Sequence, residues 1–188
     1  KLWIKQDKIL TEENWNLINA KQVSLKAILF FFISIHFLTA QDLKLTDIQG
    51  RWYVIQSNFP MWLSGKKTNP TFNYTIMERK GDTVLLDEVK YLKKGKNKTI
   101  VGYDKTLDDS NTRFIWRGKG LLFIAKSKWE IIYISDNHRW AIIHFKKTLF
   151  TPEGYDVISR NKAMDYVLGL DVKKKLEDLS IEGVEEVR

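Results

Sequence analysis

The sequence predicts an all-β fold: an eight-stranded up-and-down antiparallel β-barrel with a C-terminal α-helix packed outside it. Three observations lead there. Beyond residue 50, short runs rich in β-branched and aromatic residues recur at close intervals. Most are joined by brief turn-like pieces, as hairpin-connected neighbours require. After the last run the apolar spacing changes from two to three and four, the period of an amphipathic helix.

The runs are 51–57, 71–78, 83–92, 99–104, 112–117, 129–135, 139–145 and 154–160. In the second, Phe72, Tyr74 and Ile76 alternate with Asn73, Thr75 and Met77. Gly81-Asp82 turns the chain into the third run, and the lysine-rich piece around Gly95 turns it into the fourth. Residues 121–125 form an apolar linking segment, and Asp136-Asn137 makes a tight turn. In 171–179, Val172, Leu176 and Leu179 fall on one helical face, which would pack on the outside of the sheet. Residues 183–188 can add a short final strand. A barrel of eight strands encloses side chains or one small ligand and leaves no free edge.

The N-terminal part reads as an address. Residues 27–40 (AILFFFISIHFLTA) carry no formal charge when His36 is neutral, follow Lys21 and Lys26, and end at Ala40 before Gln41-Asp42. That is the pattern of a secretory signal, and it is shorter than the roughly 20 apolar residues of a membrane span. The expected organisation is therefore an upstream extension without structure over 1–20, a signal peptide over 21–40 and the barrel domain over 41–188. The protein is expected to be exported, periplasmic or extracellular, and membrane-associated if the signal is retained.

Composition narrows the function. With no cysteine, disulfides, thiolate metal sites and a cysteine nucleophile are excluded. The net charge of +8 comes from dispersed lysines and arginines, with one dense run at Lys90, Lys93, Lys94, Lys96 and Lys98. A balance of this kind suits a solvated hairpin tip and allows peripheral contact with an anionic membrane. The export pattern argues against a nucleic-acid partner. Neither a nucleophile elbow nor a phosphate-cradling loop is present. His138 and His144, six residues apart with no third ligand beside them, make no metal pair.

Three motifs then carry a resemblance. Gly50-Arg51-Trp52 stands at the start of the first strand, Ser135-Asp136 at the turn after the Trp129 strand, and Arg160 at the end of the eighth strand. In this order they resemble the motifs of the lipocalins, most closely the bacterial and apolipoprotein D-like branch, across about residues 43–180. Position 135 holds serine where the family's second motif has threonine. The resemblance implies that Trp52 plugs the closed end of the barrel beneath Arg160, with Gly50 turning the chain tightly below them. Gly50, Trp52, Ser135, Asp136 and Arg160 are structural in this reading.

The resemblance also places function at the open end. The long first loop, 58–70, carries Phe59, Met61, Trp62 and Leu63, as a lid over a ligand or as packing in the barrel mouth. Alternation points Phe72, Tyr74, Val89, Tyr91, Val101, Tyr103, Phe114, Trp116 and Tyr133 inward, where with Phe59 and Trp62 they would line a cavity. The expected function is an exported carrier that binds a small hydrophobic or amphipathic molecule, such as a fatty acid or lysophospholipid, as a monomer or weak dimer with no cofactor and no catalysis. The alternatives are a lipocalin-type isomerase or de-epoxidase, with Asp87 as an inner acid, and a haem-binding barrel using one of the two histidines.

Overall fold

The computed structural model describes residues 43–149 and 151–187. The extension expected over 1–20 and the signal expected over 21–40 lie outside the described residues. Eight antiparallel strands follow one another: β1 Gly50–Ser57, β2 Thr68–Arg79, β3 Asp82–Lys93, β4 Lys96–Thr106, β5 Arg113–Gly118, β6 Lys126–Ile134, β7 Trp140–Phe145 and β8 Gly154–Ser159. Each pairs with the next, and β1 pairs with both β8 and β2, so the sheet closes on itself. A two-residue strand, β9 Glu185–Glu186, adds to the end of β1 opposite Gln56 and Ser57.

Among the described residues there are also three α-helices: α1 Leu45–Ile48 below the barrel, α2 Pro60–Leu63 in the first loop and α3 Tyr166–Asp178. The last begins five residues before the apolar spacing predicts, because Asp165 caps it by accepting from the Leu168 N–H at 2.9 Å. The apolar segment 121–125 opens with a 3₁₀ turn, Gly120–Leu122.

Two apolar layers result. Inside the barrel, Trp52, Val54, Phe72, Tyr74, Leu85, Phe114, Trp129, Ala141, Ile143 and Ile158 form one buried cluster. On the outer wall, Ile55, Trp140, Ile142 and Val157 meet Val172 and Leu176 of α3. Two bulges let strands serve both layers. One lies between Val54 and Gln56, sets Gln56 opposite the outer Val157 and returns Ser57 to the inside opposite Asp156; the other lies between Ile131 and Tyr133.

The closed end is locked by hydrogen bonds as well as packing. Trp52 is fully buried and donates its indole N–H to the Ile48 carbonyl at 2.7 Å. The Arg160 guanidinium lies 3.7 Å from the Trp52 ring centroid and donates to the carbonyls of Arg51 (3.1 Å) and Asp47 (2.7 Å). Burial, then the neighbouring Arg139, lower its pKa to about 10, so it stays charged at neutral pH. Gly50 has φ +100°, and a Cβ there would stand 3.2 Å from the Arg160 guanidinium. In the β6–β7 turn, the Ser135 hydroxyl accepts from the Arg139 and Trp140 N–H groups at 3.0 and 3.1 Å. Asp136 is exposed beside it.

Candidate functional site: an apolar cup with buried carboxylates

The open end holds a cavity of about 410 Å³, within the range of small-molecule sites. Its wall is largely apolar, with Phe72, Val89, Ile100, Trp116 and Phe145 from the strands and Phe59, Met61 and Trp62 from the first loop. Pro60 at the first position of α2 sets the backbone that drives Phe59 and Trp62 inward, where both are buried. The loop thus plugs part of the mouth and walls the remaining space. Trp116 lies flat across Gly102, where any Cβ would come within 2.2 Å of the indole. That glycine makes room for the ring.

The residues predicted to face the cavity divide. Phe59, Trp62, Phe72, Val89 and Trp116 line it. Tyr91 stands at the rim, edge-on to Trp62 at 5.9 Å, with the Lys67 ammonium 5.0 Å from its ring. Tyr74 and Phe114 are inner but lie deeper, stacked on Trp129 at 5.8 and 4.4 Å.

Three predicted residues face outward instead. In the β3–β4 ladder the inner residues Leu85, Asp87 and Val89 sit opposite Asp104, Gly102 and Ile100. Val101 and Tyr103 are consequently on the outer face, and Tyr103 lies under the Arg79 guanidinium at 4.2 Å. Tyr133 is turned outward by the β6 bulge; it packs on Trp140 at 4.8 Å, with Lys175 of α3 over its ring. Neither histidine faces the cavity. His144 is on the outer wall between Glu130 (2.9 Å) and Glu153 (2.7 Å), and His138 sits in the β6–β7 turn near Asp47. Among the described residues no group of three His, Asp or Glu is placed to hold a metal ion.

The barrel interior also holds three acids, of which sequence reasoning singled out only Asp87. Asp87, Asp104 and Asp156 are buried at 6%, 1% and 1% exposure. Each faces an indole: Trp129 donates to Asp104 at 2.7 Å, and the side chains of Trp116 and Trp62 hydrogen-bond Asp87 and Asp156. Asp156 lines the cavity and accepts from the Ser57 hydroxyl at 2.5 Å; that hydroxyl in turn accepts from the Phe59 N–H at 2.9 Å. One oxygen of Asp87 and one of Asp104 are buried with no hydrogen-bond partner among the described residues.

Burial is the main force on all three. It raises Asp104 and Asp156 to about 7 against the opposing hydrogen bonds of Trp129 and of Ser57 and Trp62. Asp87 is raised well above the carboxylate range by burial and then by the Asp104 charge. Tyr74 lies within electrostatic reach of all three, and burial first, then their charges, push its hydroxyl up. Alternation carried no signal for Asp104, because Val101 and Tyr103 hold the apolar pattern of β4; the ladder places Asp104 inside opposite Leu85, and Asp156 inside opposite Ile143.

No family model matches the sequence, and no curated protein matches it. Solved structures do match. The chain is similar to the major allergen Per a 4 from cockroaches, at 15% identity and TM-score 0.59, covering 78% of this chain and 88% of that one. It is also similar to insecticyanin from the tobacco hornworm Manduca sexta, at 12% identity and TM-score 0.60, covering 79% and 82%. A third is the siderocalin Ex-FABP, at 14% identity and TM-score 0.52, covering 71% and 87%. At such identities the likeness is one of architecture: a closed eight-stranded barrel with the helix outside, which is the lipocalin fold.

Proposed function

We propose that the protein is a carrier that reversibly binds one small apolar or amphipathic molecule in the cup, without covalent chemistry. The observation that carries the reading is the apolar cavity walled by Phe59, Trp62, Phe72, Val89 and Trp116. Each methylene buried there contributes about 0.8 kcal/mol before ordering costs, so a long chain reaches micromolar affinity without a charged anchor. Fatty acids and lysophospholipids meet this requirement entering chain-first, with the anionic head left among Lys67 and Lys126 near the mouth. The signal-like segment 21–40 supports export. The siderocalin Ex-FABP is described as functioning through dual ligand specificities, which accords with a binding role on this architecture.

The mouth supports a second element, peripheral contact with an anionic membrane. Leu121, Phe123 and Ile124 on the β5–β6 loop are 97%, 68% and 72% exposed, and Leu149 on the β7–β8 loop is 96% exposed. Exposed lysines flank them at 119, 126, 146 and 147. Apolar tips ringed by cations suit an anionic bilayer surface. No helix among the described residues is long and apolar enough to cross a membrane.

Native mass spectrometry of the protein purified from cells, followed by organic extraction, tests the carrier reading. A discrete co-purified lipid or pigment is the expected result. An empty protein that also takes up neither 1-dodecanol, dodecanoate nor lysophosphatidylcholine contradicts it.

A further inference from the structure

We infer that the cup selects a ligand whose polar end is a protonated amine, seated at the inner end of the cavity against Asp87 with Asp104 behind it. The inference rests on the carrier reading and narrows it to a class of ligand. Asp87 is the next inner residue below Val89 on β3, so it lies directly beneath the cavity wall. Its neighbour across the β2–β3 ladder is Tyr74, and its neighbour across β3–β4 is Gly102, which has no side chain to cover it. Trp116, which lines the cavity, lies across Gly102 and meets Asp87 with its indole. On binding, the amine displaces that ring and takes its place against the carboxylate.

The charge arrangement is one-sided. None of the salt bridges among the described residues involves Asp87, Asp104 or Asp156. The groups that face them are an indole each, the Ser57 hydroxyl, the Tyr74 phenol and one another. A buried carboxylate with an unmade hydrogen bond costs free energy, and two such oxygens remain on Asp87 and Asp104. An ammonium supplies donors to those oxygens, and its charge favours the ionised forms that burial alone opposes. The acids are not grouped so as to hold a metal ion, which needs several oxygens converging on one point. An anionic head in the same place would meet three acids and no cation.

The experiment is a head-group series on one chain length. Dodecylamine, 1-dodecanol and dodecanoate are titrated below their micelle-forming concentrations, by calorimetry at pH 8, into the wild-type protein and the Asp87→Asn and Asp104→Asn variants. Dodecylamine is expected to bind at least about tenfold more tightly than either 1-dodecanol or dodecanoate. The amine preference is expected to fall sharply in Asp87→Asn and partly in Asp104→Asn, while 1-dodecanol binding, which also reports folding, stays unchanged. Binding of 1-dodecanol with no amine preference, or a preference that survives Asp87→Asn, overturns this inference and leaves the carrier reading standing. Failure of all three probes to bind contradicts the carrier reading itself.

Discussion

Replacing Asp156 by asparagine removes one titrating group from the barrel interior and leaves its shape intact. In the folded protein burial holds this carboxyl at about 7 against an ordinary 3.8. Between those values the folded state keeps a proton that the unfolded state has already lost. The contribution of Asp156 to stability is therefore fully present below about pH 4 and is lost as pH rises through 7. The interval corresponds to about 4 kcal/mol if the carboxylate stays dry, and to less as water follows the charge inward. The amide of Asp156→Asn cannot ionise, so the variant escapes this loss. For a domain of this size about 4 kcal/mol corresponds to roughly 8–16 °C in thermal midpoint. At pH 4 the variant should be equal to or slightly weaker than wild type, because an amide nitrogen cannot accept the hydrogen bond that Asp156 takes from Trp62. The two curves should cross. Thermal unfolding followed by near-ultraviolet circular dichroism from pH 4 to pH 9 measures both. Asp87 and Asp104 remain in each protein, so the difference isolates Asp156. Parallel curves would refute the reasoning, since they would mean that Asp156 ionises in the folded barrel as readily as in water.

Other expectations follow from single contacts. Trp52→Ala empties the closed end, strands the Arg160 guanidinium over a void and should cost about 3–5 kcal/mol in urea unfolding; a loss below about 1 kcal/mol would show that Trp52 does not plug the barrel. Gly102→Ala puts a methyl where Trp116 lies and should swing that indole into the cavity, weakening 1-dodecanol binding and changing the tryptophan emission. The double variant Phe123→Asp, Leu149→Asp, at two exposed tips outside the cavity lining, should abolish co-sedimentation with phosphatidylglycerol vesicles while preserving 1-dodecanol binding; undiminished co-sedimentation would remove those loop tips from membrane contact.

Where alternation was carried by strong apolar residues, the sequence was a good guide. Phe72 and Tyr74 on β2, Val89 and Tyr91 on β3, and Phe114 and Trp116 on β5 all take the inner positions their spacing predicts. The motifs at Gly50, Trp52 and Arg160 meet at one end of the barrel although Arg51 and Arg160 are 109 residues apart in sequence. On β4 the apolar signal pointed the wrong way. The inner residues there are Ile100, Gly102 and Asp104, a glycine that accommodates Trp116 and an acid held by Trp129, while Val101 and Tyr103 cover the outside. Local hydrophobicity does not register a space left for a distant ring. Tyr133 was misplaced for a different reason: a bulge adds one residue to β6 and inverts every position after it. The acids escaped notice because an aspartate in a strand reads as solvated, and only the closed ladder shows that Asp104 and Asp156 point into the barrel.

The carrier reading depends on the space beneath the first loop, and filling that space tests it most directly. Val89 lines the cavity from β3 beside Phe72 and Ile100. A tryptophan at position 89 would occupy the volume meant for a ligand. Calorimetric titration with 1-dodecanol should show saturable binding of one molecule per wild-type chain and no detectable binding to Val89→Trp, with both proteins giving the same barrel circular-dichroism spectrum. Equal binding to both would place the ligand outside the cup, and no binding to the wild type would contradict the carrier function.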